Sequence, residues 1–282
     1  MIEECWWIKW KIYSLKWLIK RYLNINKLNN KILIVGSSGI IGAFLNENLK
    51  KDFSVFGIGN SKKSIKSSYS SLDLTKIKEI KIYIDQSPRF DVIIFLVGLA
   101  HKKGRKKEFD QFLSINKQTL INLFSELKKR QKLPGKIIFS STISVYGEKL
   151  NQNIYNEDTE KTPRTPYSIT KLEAEKYLIK YFPDRSWILR FSPVYSTDFR
   201  VNINRRVLIS SFFYKVGNGS QKLSLCNIEN ILKVVRSIIN EQIPADVYNI
   251  SDNKEYSYNY LLKNENAKKI IIVPRIFIYI IF

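Results

Sequence analysis

The sequence predicts an α/β fold, a doubly wound parallel sheet with a smaller C-terminal region. Three observations lead there. Near-continuous apolar runs recur along the chain, as in KILIV, DVIIFLV and SWILRF, and strands of that kind are covered on both faces. Segments with apolar residues at helical spacing separate these runs. The two kinds of segment alternate from residue 31 to about residue 192, and such alternation builds βαβ units rather than hairpins.

The elements follow in order. KILIVG (31–36) is the first strand, and IIGAFLNENLKK (40–51) is the helix after it. FSVFGIG (53–59) is the second strand, followed by a helix over TKIKEIKIYIDQ (75–86). DVIIFLVG (91–98) reads as a buried strand, and KEFDQFLSINKQTLINLFSELKKRQ (107–131) as one long helix. KIIFSS (136–141), a helix from about Pro166, and SWILRF (186–191) complete the alternation. Beyond residue 192 the pattern weakens across FRVNINRRVLISSFFYKVGNGSQKLSLCNIENI, and no internal repeat occurs. The expected organisation is an N-terminal extension over 1–30, the doubly wound domain over 31–192, and a smaller region over 193–282.

Composition narrows the function. The 282 residues are 44% hydrophobic, enough for a sizeable core. A formal charge of +22 invites a polyanion, but the lysines are spread along the chain rather than gathered, so no nucleic acid is expected. Cys5 and Cys226 are the only cysteines; they form neither a disulfide framework nor a metal-ligand pattern, which suits a reducing cytoplasm and no metal. His101 is the single histidine and no G-x-S-x-G stretch occurs, which argues against a Ser-His-Asp hydrolase.

The two ends stand apart. MIEECWWIKWKIYSLKWLIKRYL carries Trp6, Trp7, Trp10 and Trp17 among Lys9, Lys11, Lys16 and Lys20. It is too interrupted to span a membrane and lacks the plan of a signal peptide. As a helix it would set a basic stripe beside an aromatic face, suited to a membrane interface; packing on the domain is the alternative. The other end, KKIIIVPRIFIYIIF, stops inside an apolar pattern broken by Pro274 and Arg275. Either it packs back on the core or the chain is C-terminally truncated.

The strongest local signal is VGSSGIIG, with Gly36, Gly39 and Gly42 three apart. One glycine turns the chain, another lets backbone N–H groups approach a pyrophosphate, and a third permits close packing of helix on strand. The helix beginning at Ile40 and Ile41 aims its positive end at the phosphates. Strand before and helix after supply the required context, so dinucleotide binding is expected. The second strand runs into GIGNSKKS, where Asn60 stands without the usual carboxylate for the adenosine ribose. Lys62 and Lys63 suit a 2′-phosphate or are solvated loop lysines, so NAD and NADP both remain open.

TPYSITKLEAE sets Tyr167 and Lys171 four apart at a helix start, a spacing that alone means little, because such neighbours occur on any helix. Together with the rest, the chain resembles the extended short-chain dehydrogenase/reductases, the nucleotide-sugar epimerases, dehydratases and reductases. The resemblance runs from about residue 31 to the end and rests on six stretches in order. GSSGIIG resembles the family's glycine turn; LDL, with Asp73 and Leu74, the pair that meets adenine; FLVGLAH, with Val97, Gly98 and Leu99, the segment beside the nicotinamide ribose. SINKQTL supplies Asn116, which in the family supports the active site; FSSTISVYG places Thr142 at the catalytic hydroxyl position, with Ser141 in reserve; PYSITK supplies Tyr167 and Lys171. The resemblance implies a Rossmann-like fold, an NAD or NADP cofactor and a nucleotide-sugar substrate.

Some positions depart from the family pattern. Ser196 stands where a glycine is usual, and Leu223 where many members hold a diphosphate-binding arginine, with Lys222 its only neighbour of like charge. The expected chemistry has Tyr167 as acid and base, Lys171 favouring the phenolate and holding ribose hydroxyls, and Thr142 orienting the reacting oxygen. Thr142-Ile143-Ser144 lacks the acid pair that a 4,6-dehydratase of the family carries at that point. The expected function is an NAD(P)-dependent nucleotide-sugar epimerase or reductase, like UDP-glucose 4-epimerase, of the surface-polysaccharide type. Two rivals stay open: a non-catalytic dinucleotide-binding sensor or scaffold, and a membrane-surface oxidoreductase acting on a lipid-linked sugar. The expected location is the cytoplasm or the inner face of the membrane, with peripheral contact through residues 1–30 and a homodimer left open.

Overall fold

The computed structural model describes residues 30–60, 69–99, 105–147 and 154–274. The N-terminal extension, Lys62, Lys63, His101 and the apolar tail beyond Pro274 lie outside the described residues.

In chain order the elements are β1 (Lys31–Val35), α1 (Ile40–Leu49), β2 (Ser54–Gly59), β3 (Tyr69–Ser71), α2 (Ile77–Gln86) and β4 (Val92–Phe95). Then come α3 (Phe109–Leu113), α4 (Thr119–Lys129), β5 (Lys136–Thr142), α5 (Pro166–Tyr181), β6 (Ser186–Phe191) and β7 (Val194–Tyr195). The C-terminal part holds α6 (Val201–Val207), β8 (Leu208–Ile209), β9 (Phe212–Val216), β10 (Lys222–Leu223), β11 (Cys226–Asn227) and α7 (Ile228–Ile239). It ends with β12 (Val247–Ile250), β13 (Tyr256–Ser257), α8 (Tyr258–Asn264) and β14 (Ile270–Val273). The principal sheet has seven strands in the order β12-β6-β5-β4-β1-β2-β3, the outward winding from a central first strand that gives a doubly wound fold. The pairs β1–β2, β1–β4, β2–β3 and β6–β12 are all parallel.

Two compact units divide the chain. Among described residues, the first contains 30–97 and 118–137, and the second 98–99, 105–117 and 138–274. In the first, β1 lies between β2 and β4, with Ile32 opposite Val55 on one side and Val92 on the other. Ile32, Leu33, Ile34 and Val35 are all buried, each contributing about 1.5–3 kcal/mol through lost apolar contact with water. This run explains why the first strand is legible from sequence and why it is rigid enough to aim the turn that follows.

The second unit contains β5 from Ile138 onward, β6 and β12 of the principal sheet, and a separate C-terminal core. There Tyr214, Val216, Leu225, Leu261 and Val273 pack together with Ile203 and Val207. Small sheets surround that core: β14-β9-β8, β10-β13 and β11-β7. Asp252 links the last two, because its carboxylate accepts from the Asn227 backbone N–H (2.7 Å), the Asn230 amide (2.7 Å), Tyr195 Oη (2.9 Å) and Tyr256 Oη (2.6 Å). Among the described residues no helix is long and apolar enough to cross a membrane.

One expectation changes form. Residues 107–131 do not make one uniform helix: α3 passes through a π-turn at Ser114–Gln118 before α4. The wider turn accompanies an inward Asn116, which is fully buried; single π-turns of this kind are often found at functional sites.

Candidate active site

The first unit carries the glycine turn. β1 delivers the chain to Gly36, whose φ of +92° is a conformation that glycine adopts without strain. Its N–H donates to Ile58 O at 2.7 Å, and a Cβ there would lie 3.3 Å from the backbone of Leu96 and Val97. Gly42 is more constrained: an added Cβ would sit 2.3 Å from Gly36 O and 2.7 Å from Ser37 Cα. Helix α1 therefore rests directly on the turn. Gly39 caps α1 without a side-chain bond, and the first turn holds no acid. N–H groups at such a helix start attract an anion, so the cradle fits a dinucleotide's phosphates.

Other expected cofactor residues in this unit are also placed. Ile40 is exposed, Ile41 half-buried and Asn60 exposed at the end of β2, while Val97 is half-buried after β4. Asp73 accepts from the Thr75 hydroxyl (2.7 Å) and backbone N–H (2.9 Å), and these bonds hold its carboxyl below the usual range, assisted by Lys76. Leu74 is buried, and its carbonyl accepts from the Asn122 amide at 3.0 Å.

The second unit brings together the expected acid–base residues. Thr165 caps α5, its Oγ1 accepting from the Ser168 N–H at 3.2 Å, and Pro166 pre-sets the first helical turn. That start puts Tyr167 in the first turn and Lys171 one turn later. Thr165→Ala is expected to lower stability by about 1 kcal/mol, read as a shift in the urea midpoint at constant slope.

Tyr167 is half-buried, with the Thr142 hydroxyl beside its phenol. Burial pushes its phenol up to about 12, with the neighbouring Thr142 hydroxyl opposing the rise. Lys171 is only 2% exposed. Burial pushes its ammonium down to about 7, while the Glu175 carboxylate acts the other way. The sequence reading expects a lysine charge to lower the tyrosine; in the protein alone, desolvation leads at both groups and favours their neutral forms. Lys171 Nζ also lies 4.4 Å from the centre of the Phe139 ring.

Asn116 ties three segments of this unit. Its Oδ1 accepts from the Leu99 N–H at 2.8 Å, and its Nδ2 donates to Thr170 Oγ1 at 2.9 Å. A Cβ on Gly98 would meet Asn116 Oδ1 at 3.3 Å and Lys171 Nζ at 3.4 Å; the glycine leaves space for both. Thr142 Oγ1 also lies 3.2 Å from Ser144 Oγ and accepts from the Ser144 N–H at 3.2 Å.

Ser141 is engaged elsewhere, its hydroxyl donating to Glu175 Oε1. Glu175 in turn accepts from Arg190 Nη2 at 2.7 Å and from Nε at 3.2 Å on both oxygens. The sequence reading missed Thr170, Glu175 and Arg190. Two signals pointed to the last two: Glu175 continues the four-residue spacing of Tyr167 and Lys171, and Arg190 interrupts an otherwise apolar strand.

In the C-terminal region Leu223 packs against the small core, and Lys222 pairs with Glu255 at 2.5 Å. Ser196 closes a local turn, its Oγ accepting from the Phe199 N–H at 3.0 Å. Cys226 is buried, which pushes its thiol up to about 12 with Asp252 adding to the effect; it is a packing residue rather than a nucleophile.

Comparison with known proteins places these features in context. Residues 32–251 match the NAD dependent epimerase/dehydratase family. An uncharacterized UDP-glucose epimerase of Bacillus subtilis, YtcB, is 29% identical over 74% of this chain and 72% of its own length. N-acetyl-alpha-D-glucosaminyl-diphospho-ditrans,octacis-undecaprenol 4-epimerase of Escherichia coli O157:H7 is 24% identical over 83% of this chain and 71% of its own. Among solved structures, UDP-glucuronic acid 4-epimerase from Bacillus cereus, in complex with NAD, has the same fold. It superposes with a TM-score of 0.69 at 23% identity, covering 86% of each chain. The strand order, the glycine turn and the match over most of the chain agree: this protein belongs to the NAD dependent epimerase/dehydratase family.

Proposed function

We propose that the protein is a nucleotide-sugar epimerase that inverts a hydroxyl-bearing sugar carbon, with UDP-sugars as the first substrates to test. The observation that carries this reading is the placement of Tyr167 and Lys171 one turn apart on α5, with the Thr142 hydroxyl of β5 beside the Tyr167 phenol. The relatives named for UDP-glucose and UDP-glucuronic acid support the substrate class.

The dinucleotide would be held by Gly36, Gly39, Ile40, Ile41 and Gly42 at its phosphates, with Asn60, Asp73 and Leu74 toward the adenosine. Val97, Gly98, Leu99, Asn116, Tyr167 and Lys171 would serve its nicotinamide end. When bound, NAD supplies a reversible hydride acceptor and a positively charged ring that favours the Tyr167 phenolate. Tyr167 Oη takes the proton from the sugar hydroxyl and returns it after the carbonyl has turned its other face. Thr142 Oγ1, beside the Tyr167 phenol, holds that same oxygen. Lys171, charged, stabilises the phenolate; neutral, it does not, so its titration sets when Tyr167 acts as base. Among Ile143, Ser144, Val145 and Tyr146, which follow Thr142, no carboxylate offers the acid needed for dehydration.

The test is a panel of UDP-, GDP- and dTDP-sugars with NAD or NADPH, following nicotinamide absorbance and sugar products. Epimer formation without net change in cofactor is expected. Stoichiometric NADPH consumption would instead make the protein a reductase. Folded protein that binds NAD and turns over no donor would leave the sensor reading standing. The Escherichia coli relative, named for an undecaprenol-linked sugar, gives reason to include a lipid-linked N-acetylglucosamine diphosphate in the panel.

A further inference from the structure

We infer that Ser141, Glu175 and Arg190 form a positioning device that clamps Thr142 from both sides and fixes it against the helix bearing Tyr167 and Lys171. The inference rests on the acid–base reading above and concerns residues that touch neither reacting atoms nor cofactor in it.

The geometry is specific. Ser141 immediately precedes Thr142 on β5, and its hydroxyl donates to Glu175 Oε1. Glu175 lies on α5, one turn beyond Lys171 and two beyond Tyr167. On the other side of Thr142, Tyr146 receives a hydrogen bond from Arg190 Nη1 at 2.7 Å, and its own hydroxyl donates to Asn249 Oδ1 at 2.7 Å. Arg190 is the partner of Glu175. One ion pair thus holds the residue just before Thr142 and the turn just after it.

Stability alone is a weak reason for this arrangement. Glu175 is 0% exposed and Arg190 2%, and a buried ion pair seldom stabilises more than apolar residues of similar size. Its bidentate geometry does fix relative position, because a guanidinium and a carboxylate match in one plane. The protein gains definition of a strand end against a helix where the reacting hydroxyls sit.

The pair also bears on the charge of Lys171. Among the contacts described, Lys171 faces the Glu175 carboxylate from its own helix, the Phe139 ring from β5 and the backbone at Gly98. Glu175 is itself faced by Arg190 from β6 and by Ser141 from β5. Removing the Glu175 charge takes away the carboxylate that favours the Lys171 ammonium.

The test uses Ser141→Ala, which keeps the ion pair, and Glu175→Gln, which removes its charge. Ser141→Ala is expected to lower kcat for the sugar nucleotide about ten- to hundredfold through misplacement of Thr142. KM and the NAD dissociation constant should stay within about twofold. Glu175→Gln is expected to lower kcat further and to move the pH limb set by Lys171 toward lower pH. Should Glu175→Gln fail to fold, Ser141→Ala decides alone. Wild-type kcat in folded Ser141→Ala overturns the inference, as does a lower melting temperature with unchanged kcat per folded molecule. Tyr167→Phe is run alongside: if it stays active the acid–base reading falls, and if it is dead while Ser141→Ala is unaffected only the clamp falls.

Discussion

Tyr167→Phe should lower kcat by about a thousandfold, since a positioned acid–base group contributes about 10²- to 10⁴-fold and the phenol stands beside Thr142 and one turn from Lys171. The substitution keeps the ring, so packing at the start of α5 is retained and the fold should remain intact. The hydrogen bonds of Thr142 to Ser144 are untouched. NAD affinity, measured by fluorescence titration, should change by no more than about threefold, because the phosphates are held at the glycine turn. The kinetic signature is a fall in kcat and kcat/KM together, as for an interaction made in the transition state. A variant that retained even a tenth of wild-type turnover would remove Tyr167 from the mechanism.

The second large effect concerns the turn itself. Gly42→Ala puts a methyl group 2.3 Å from the Gly36 carbonyl oxygen and 2.7 Å from Ser37 Cα. Both are backbone atoms, so no side chain can move aside and α1 must lift away from β1. The expected cost is about 1–3 kcal/mol of stability, seen in urea unfolding, and at least about a tenfold loss of NAD affinity because the N–H groups of the helix start are displaced. Gly39→Ala is the comparison for stability alone, as its Cβ would lie 3.4 Å from Gly36 O, an ordinary contact, and its urea midpoint should stay near the native value. If Gly42→Ala bound NAD as tightly as the native chain, the close seat of helix on turn would have no part in cofactor binding.

Much of the fold was legible because burial on both faces leaves a plain trace. KILIV, VIIF and SWILRF are apolar at nearly every position, and each became a principal-sheet strand. The start of α5 was legible for a different reason: Thr165 and Pro166 are local signals that act without tertiary help. Strand β3 was not anticipated, since Tyr69–Ser71 is short and polar and owes its form to pairing with Gly57–Gly59 of β2. The π-turn at Ser114–Gln118 also escaped, because its cause lies outside it: Leu99 and Thr170 supply the partners that draw Asn116 inward. In the C-terminal region the two-residue strands β7, β8, β10, β11 and β13 are too brief to show a period.

The same contrast holds at the site. Tyr167, Lys171, Thr142 and Asn116 entered as expectations through the family resemblance, whose stretches stand in order along the chain. Glu175 and Arg190 were passed over because in a chain with 72 charged residues, 47 basic and 25 acidic, any one charge reads as solvated. Only the fold shows that these two are buried together, fifteen residues apart in sequence. Ser141 was legible as a hydroxyl beside Thr142, but the direction of its bond depends on Glu175.

Lys171 rests near about 7 in the protein alone, so around neutrality it passes readily between its charged and uncharged forms. A ligand that brings net charge beside it selects one of them. Binding then takes up or releases a fraction of a proton, and the apparent affinity slopes with pH in that range. The heat of such binding would follow the ionisation enthalpy of the surrounding buffer, which makes the medium itself a partner in the equilibrium.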